Sequence, residues 1–225
     1  MADNSDMARQ PRSLQVLPGH PHHLILRGNN RRRLFSYPSE HRLFLFRLSE
    51  ASEKQGVPVH TTTQMSNHVH LVVTPRESVQ LARFVQCFAQ AYAQFRNRRR
   101  RASGKLFEER YRSIPITTEE QMAVTTAYVE LNPVRAGVCA GASAYRWSTF
   151  RVHAGLDAGD PLINRLWTPS SWYLSLGANP SERAAAYVGW FDYYRARDDW
   201  SEVYGDPKPP EDRKRFETPA RRSAI

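Results

Sequence analysis

Between Leu81 and Phe95 the chain carries Leu81, Phe84, Val85, Phe88, Tyr92 and Phe95 at i, +3, +4, +7, +11 and +14, one apolar stripe down a single helix. Such a stripe has to be buried against another layer, and the neighbouring segments indicate a sheet. "VPVHTTTQM" (57–65) and "HVHLVV" (68–73) are β-branched runs joined by a tight "SN" link, so they are expected to pair as a hairpin. "PHHLILRGN" (21–29) reads as an earlier strand, with an apolar centre, that ends at Gly28-Asn29-Asn30.

The remaining elements follow from their ends. Pro38-Ser39 opens a helix that carries Leu43, Phe46 and Leu48, with Gly56 as its C-cap. "KLFEERYRSIPI" (105–116) reads as an irregular loop followed by a fourth strand. Thr117-Thr118 followed by Glu120 and Gln121 is a capping-box signature for a third helix, which Pro133 should end near Asn132. The order strand, helix, strand, strand, helix, strand, helix predicts an α+β, ferredoxin-like fold: one antiparallel sheet with its helices on one side. The expected organisation is an unpatterned segment over 1–15, a main domain over 16–150, a helical extension over 151–204 and a basic, Pro-rich tail over 205–225. Within the extension, Asn179-Pro180 starts a further predicted helix.

With 40% hydrophobic and 11% aromatic residues the chain can build a real core. Its net charge of +10 favours a polyanionic partner, nucleic acid ahead of an anionic membrane. No apolar run approaches the roughly 18 residues of a membrane span, and "MADNSDMARQ" has no signal-peptide pattern, so a cytoplasmic protein without a membrane partner is expected. Cys87 and Cys139, with no C-x-x-C pair, point to neither a disulfide framework nor a cysteine zinc site.

Strand alternation places Val69, Leu71 and Val73 toward the helix layer and His68, His70 and Val72 on the other face. Two neutral imidazoles about 7 Å apart on one face can share a metal ion; the same pattern also fits polar histidines on a half-exposed sheet. On the third helix, Tyr128 and Asn132 lie four residues apart on one face, so a hydroxyl and an amide oxygen can approach the same ion. Of the other tyrosines, Tyr92 belongs to the apolar stripe, and Tyr111, beside arginines in "EERYRS", can contact DNA, pack or attack. Arg96, Arg98, Arg99, Arg100, Arg101, Lys105, Arg110 and Arg112 set eight positive charges in 17 residues against Glu108 and Glu109. A second cluster, Arg27, Arg31, Arg32 and Arg33, follows the first strand, and both have aromatics nearby, as expected for phosphate contacts with base stacking.

"QMSNHVHLVVTP" resembles the Asn-His-hydrophobic-His segment of HUH nucleases, in particular the REP-associated tyrosine transposases, relatives of the single-strand insertion-sequence transposases. "PGHPHHLILRGNNRRRLF", "GKLFEERYRS", "YVELNPVRAGV" and "YRWSTF" are similar to four further segments of that family, in the same order over about residues 18–150. Ser66, where the family often has proline, and Gln64, in place of a more apolar residue, depart from it. The resemblance implies cleavage and rejoining of single-stranded or hairpin DNA through a covalent 5′-phosphotyrosine, with Tyr128 as nucleophile. It further implies a divalent metal, Mg2+ or Mn2+, on His68, His70 and Asn132, and a protein working as a monomer or homodimer. Two other readings are a catalytically silent hairpin-DNA binder and an RNA-binding module of the same topology; the latter usually displays aromatics, not histidines, on its sheet.

Overall fold

In a computed structural model of the chain, residues 16–108 and 110–196 are described. The expected N-terminal segment 1–15, the tail 205–225 and residues 197–204 of the extension lie outside the described residues. Four strands, β1 (His22–Arg27), β2 (Val59–Gln64), β3 (His68–Val73) and β4 (Arg112–Pro115), form one antiparallel sheet in the order β2-β3-β1-β4. Helix α1 (Pro38–Gln55) connects β1 to β2, α2 (Ser78–Arg99) connects β3 to β4, and α3 (Glu119–Arg135) follows β4. Four shorter or later helices come after: α4 (Phe150–His153), α5 (Pro161–Leu166), α6 (Ser171–Ser175) and α7 (Pro180–Ala196). This is the α+β antiparallel architecture that the periodicities predict.

The helices do not all lie on one side of it. Leu24, Leu26, Val69, Leu71 and Val73 pack with Phe44 and Leu48 of α1 and with Leu81, Phe84, Phe88 and Tyr92 of α2. The opposite face carries Val72, which packs with Ala123, Val124 and Ala127 of α3 and, beyond them, with Tyr187 and Phe191 of α7. Helix α3 lies against β2 and β3, and Thr126 meets Thr61 across that interface at 3.5 Å. The strand alternation of the histidines is therefore as expected, but their face is roofed by a helix. The reason is compositional. Ten of the seventeen residues of α3 are buried, on more than one face, so no single stripe in its sequence indicates which side of a sheet it covers.

Two local expectations change. On α2 the sixth buried stripe position is Arg96, not Phe95, because the stripe advances by fours from Phe88 through Tyr92. Arg96 is tolerated there since its guanidinium donates to the carbonyls of Leu34 and Arg33, both at 2.9 Å, and pairs with the buried carboxylate of Glu40 at 3.2 Å. Helix α3 does not stop at Asn132 but continues to Arg135 with Pro133 inside. Its start is as predicted: Thr118 accepts from the amide of Gln121, whose side chain reaches back to the Thr117 amide. Near its end the Asn132 side-chain amide donates to the Tyr128 carbonyl, one turn back, at 2.8 Å.

The C-terminal elements grip α3 through one buried acid. Glu130 has no solvent exposure, and its carboxylate accepts from Thr149 and from His153 Nδ1, each at 2.7 Å, and from the Tyr187 hydroxyl. His153 Nε2 in turn accepts from the Trp167 indole at 3.1 Å, which fixes the Nδ1–H tautomer facing Glu130. Tyr187→Phe removes one donor while keeping the ring, and is expected to destabilise the protein by about 1–3 kcal/mol. Urea denaturation measures this, and an unchanged midpoint would show that the bond contributes nothing.

Candidate active site

On the roofed face the register brings β1 and β3 side chains together. Ile25 pairs with His70, Arg27 with His68 and His23 with Val72, so His23 lies diagonally across from His70. His23 Nε2 and His70 Nδ1 are 2.8 Å apart, and the two rings stack at 5.1 Å. The rings of His68 and His70 are 4.9 Å apart. Tyr128 comes down from α3 with its ring 5.8 Å from His70 and 5.9 Å from His23. Three histidines and one tyrosine thus share a single polar patch under α3, with Asn132 one helical turn beyond Tyr128.

Each ring nitrogen has a definable role. His68 Nδ1 is 2.7 Å from the Asn67 side-chain oxygen. That oxygen can only accept, so Nδ1 carries the hydrogen, and in the neutral imidazole the lone pair lies on Nε2. His70 is 3% exposed, and its Nε2 has no hydrogen-bond partner among the described residues. The Asn132 amide nitrogen is committed to the Tyr128 carbonyl, leaving Oδ1 for another partner. Among the described residues no three of His, Cys, Asp and Glu are grouped to hold a metal. A divalent ion here would therefore take two imidazole nitrogens with the Asn132 oxygen, and water or phosphate oxygens for the rest. The donor set fits such an ion.

The electrostatics are those of a buried basic cleft. Burial lowers His23 to about 3, with Arg112 adding to the effect. Burial holds His70 well below the usual imidazole range, helped by His68, His23 and Arg27. Burial also raises the Tyr128 phenol, opposed by Arg135, Arg112, a side-chain hydrogen bond from Asn132, and Arg27.

The basic residues divide into groups. Arg27 is half-buried on the histidine face, and Arg112 is exposed beside it. Arg31, Arg33, Arg98, Arg99, Arg101, Lys105 and Arg110 are exposed. Arg32 is half-buried and donates to the Lys105 carbonyl, tying the two basic loops to each other. Arg100 is exposed yet reaches Glu40 at 3.1 Å. Arg96 departs from the sequence expectation of a DNA contact: it is 6% exposed, and its guanidinium is engaged by Leu34, Arg33 and Glu40. Tyr92 and Tyr111 face away from the histidines. The Tyr92 hydroxyl donates to the Leu34 carbonyl at 2.7 Å, and Tyr111 packs against the core on the α2 side.

Three residues with no signal of their own in the sequence join the patch: His23, Asn67 and Arg135. His23 could have been suspected from the doubled histidine of "PHHLIL", but only the β1–β3 register brings it to His70. Arg135 stands seven residues, two helical turns, after Tyr128 on α3, a spacing that was legible once the helix was allowed to pass Pro133.

A family model described as "Transposase IS200 like" matches residues 18–132, from the first strand to Asn132. The chain belongs to the IS200-like transposase family, and as a transposase it is a DNA-cleaving enzyme. Its fold resembles that of a REP-associated tyrosine transposase bound to a REP hairpin, which is 15% identical, with a TM-score of 0.52 over 73% of this chain and 92% of that one. A candidate transposase from Deinococcus radiodurans R1 is 20% identical over 49% of this chain and 88% of that one, with a TM-score of 0.36. No curated protein matches the chain. No helix among the described residues is long and apolar enough to cross a membrane.

Two outcomes follow from the placement of these groups. The unfolded chain binds protons below about pH 6.5 that the folded chain refuses at His23 and at His41, which burial between Phe35 and Trp147 lowers to about 4. Stability should therefore fall as pH drops from about 6.5 toward 4 and be level above that window, as read from urea midpoints; a flat profile would contradict the burial. Replacing Arg98, Arg99 and Arg101 with Ala should weaken DNA binding about equally across sequences. The slope of log affinity against log salt should flatten by about 2 for a single strand. A sequence-selective loss at unchanged slope would show that they read bases.

Proposed function

We propose that the protein nicks and rejoins single-stranded DNA at a hairpin, with Tyr128 as nucleophile and His68, His70 and Asn132 as the residues that hold a divalent ion. The observation that carries this reading is the convergence of Tyr128, His68 and His70 on one covered sheet face, within the segment matched by the transposase family. The relative of similar fold was solved on a REP hairpin, which supports a hairpin substrate here.

The balance of the step is simple. The Tyr128 oxygen forms a bond to the scissile phosphorus, and the bond from phosphorus to the 3′ oxygen breaks. The phenol loses its proton and the departing 3′ oxygen gains one, leaving the 5′ phosphate on the tyrosine. A 3′ hydroxyl attacking that phosphotyrosine reverses the bonds and restores the phenol. A bound Mg2+ or Mn2+ would supply charge neutralisation on the phosphate oxygens. The chain's own residues do the rest. Arg27, Arg112 and Arg135 surround the phenol with positive charge, favouring the phenolate and a nearby phosphate. The α3 roof fixes the approach of the hydroxyl, and the exposed arginines on both basic loops hold the flanking backbone.

Labelled hairpin DNA incubated with the full chain and Mn2+ should yield a covalent adduct that survives a denaturing gel. Tyr128→Phe should abolish that adduct and retain hairpin binding, while Tyr111→Phe should retain both. Mass mapping should find the DNA on the peptide containing "AYVELNP"; an adduct on the peptide containing "RYRS" would sink the assignment.

A further inference from the structure

An imidazole can hold a cation only through a nitrogen that carries a lone pair, and which nitrogen that is depends on the partner of the other one. His68 has such a partner in the neighbouring Asn67. His70 has none near it in sequence; its Nδ1 meets His23 Nε2 at 2.8 Å, two strands' side chains meeting diagonally across the β1–β3 register. That bond can run either way, and a ligand role for His70 chooses between the directions. If His23 donated, His70 would carry its hydrogen on Nε2 and could offer no lone pair there; burial does not decide, since His23 Nδ1, which carries the hydrogen in the other direction, is buried too. If His70 Nδ1–H donates, the bare Nε2 is left facing the patch shared with His68 and Tyr128, where a cation can meet it.

We infer that His23 is a positioning residue: its Nε2 accepts from His70 Nδ1–H, and so locks the His70 ring in the tautomer and orientation that present Nε2 to the metal. This rests on the reading of His70 as a ligand. Packing alone does not call for histidine at this position. The cross-strand neighbour Val72 is apolar, His23 has no exposure, and a buried imidazole facing a second imidazole is costly unless the pair is hydrogen-bonded. The stack of the two rings at 24° further restricts rotation of His70 about its last side-chain bond.

Three variants of the full chain and one measurement on the unaltered protein test this. Mn2+ binding, followed by electron paramagnetic resonance without DNA, should weaken about 10- to 100-fold in His23→Leu. His23→Gln, which keeps an acceptor, should recover most of the loss. Hairpin binding without metal should be unchanged in both. In the unaltered metal-free protein, 15N spectra of the histidine side chains should show His70 protonated on Nδ1. The inference is overturned if His23→Leu binds Mn2+ normally, if Gln and Leu fall equally, or if His70 is protonated on Nε2. The last measurement stands even if His23→Leu does not fold. His70→Ala separates the two levels. If it binds Mn2+ as the unaltered protein does, the ligand assignment itself fails; if it loses Mn2+ while His23→Leu does not, only the role of His23 fails.

Discussion

Glu130 is the residue through which the C-terminal helices hold the helix that carries Tyr128. A carboxylate without solvent exposure is tolerated only when donors replace its water, and here Thr149, His153 and Tyr187 provide them. All three lie beyond residue 140, whereas Tyr128 and Asn132 lie on the same helix as Glu130, within two residues of it. The segment from Thr149 to Tyr187 therefore bears on the site through Glu130. It sets the height and rotation of α3 over the sheet, and with them the distance of the phenol from the histidines. Ser148 adds a second tie, bonding Thr63 at 3.0 Å on the strand next to β3.

The second structural dependence is on Glu40. This acid, also without exposure, accepts from the Ser36 amide and pairs with Arg96 and Arg100. Burial pushes its carboxyl up, but the Ser36 amide and the two arginines outweigh that and hold it below its usual range. Arg96 passes the restraint on to the Leu34 and Arg33 carbonyls, at the end of the basic loop after β1. The start of that loop is pinned by Gly28, where a Cβ would stand 2.2 Å from the Arg32 carbonyl oxygen and no other residue fits. Leu34 and Phe35 then bond the Ser66 carbonyl, immediately before Asn67 and His68. A run that reads in sequence as uniform positive charge thus contains two kinds of arginine. The inward ones shape the loop, and the outward ones are left for phosphate.

Much of this was legible in the chain itself. Period-two and period-3.6 patterns located the sheet and both helices of its first layer, and strand parity put His68 and His70 on a common face. The four-residue spacing paired Tyr128 with Asn132. What was hidden depends on contacts between distant segments. The side of the sheet taken by α3 was unreadable because α3 is buried around more than one face. The inward turn of Arg96 is unreadable because the groups that make burial of its guanidinium tolerable, Glu40 and the carbonyls of Arg33 and Leu34, lie 56 to 63 residues earlier. His23 is hidden because in a lone strand it is one more imidazole, and its meaning comes from the register.

A phenol in this setting is under two opposed influences, and their balance explains the make-up of the patch. Burial raises the phenol, which protects it from idle ionisation. Arg135, Arg112 and Arg27 pull the other way, as three cations around one oxygen. Neutral histidines suit the same space for the same reason. Protonated imidazoles would add positive charge to a patch already crowded with guanidinium groups, and burial keeps His23 and His70 uncharged. The patch is thus built to carry an excess of fixed positive charge from arginine alone, with lone pairs from imidazole and amide turned inward. That combination would suit an anionic diester together with a cation, as the proposed function requires.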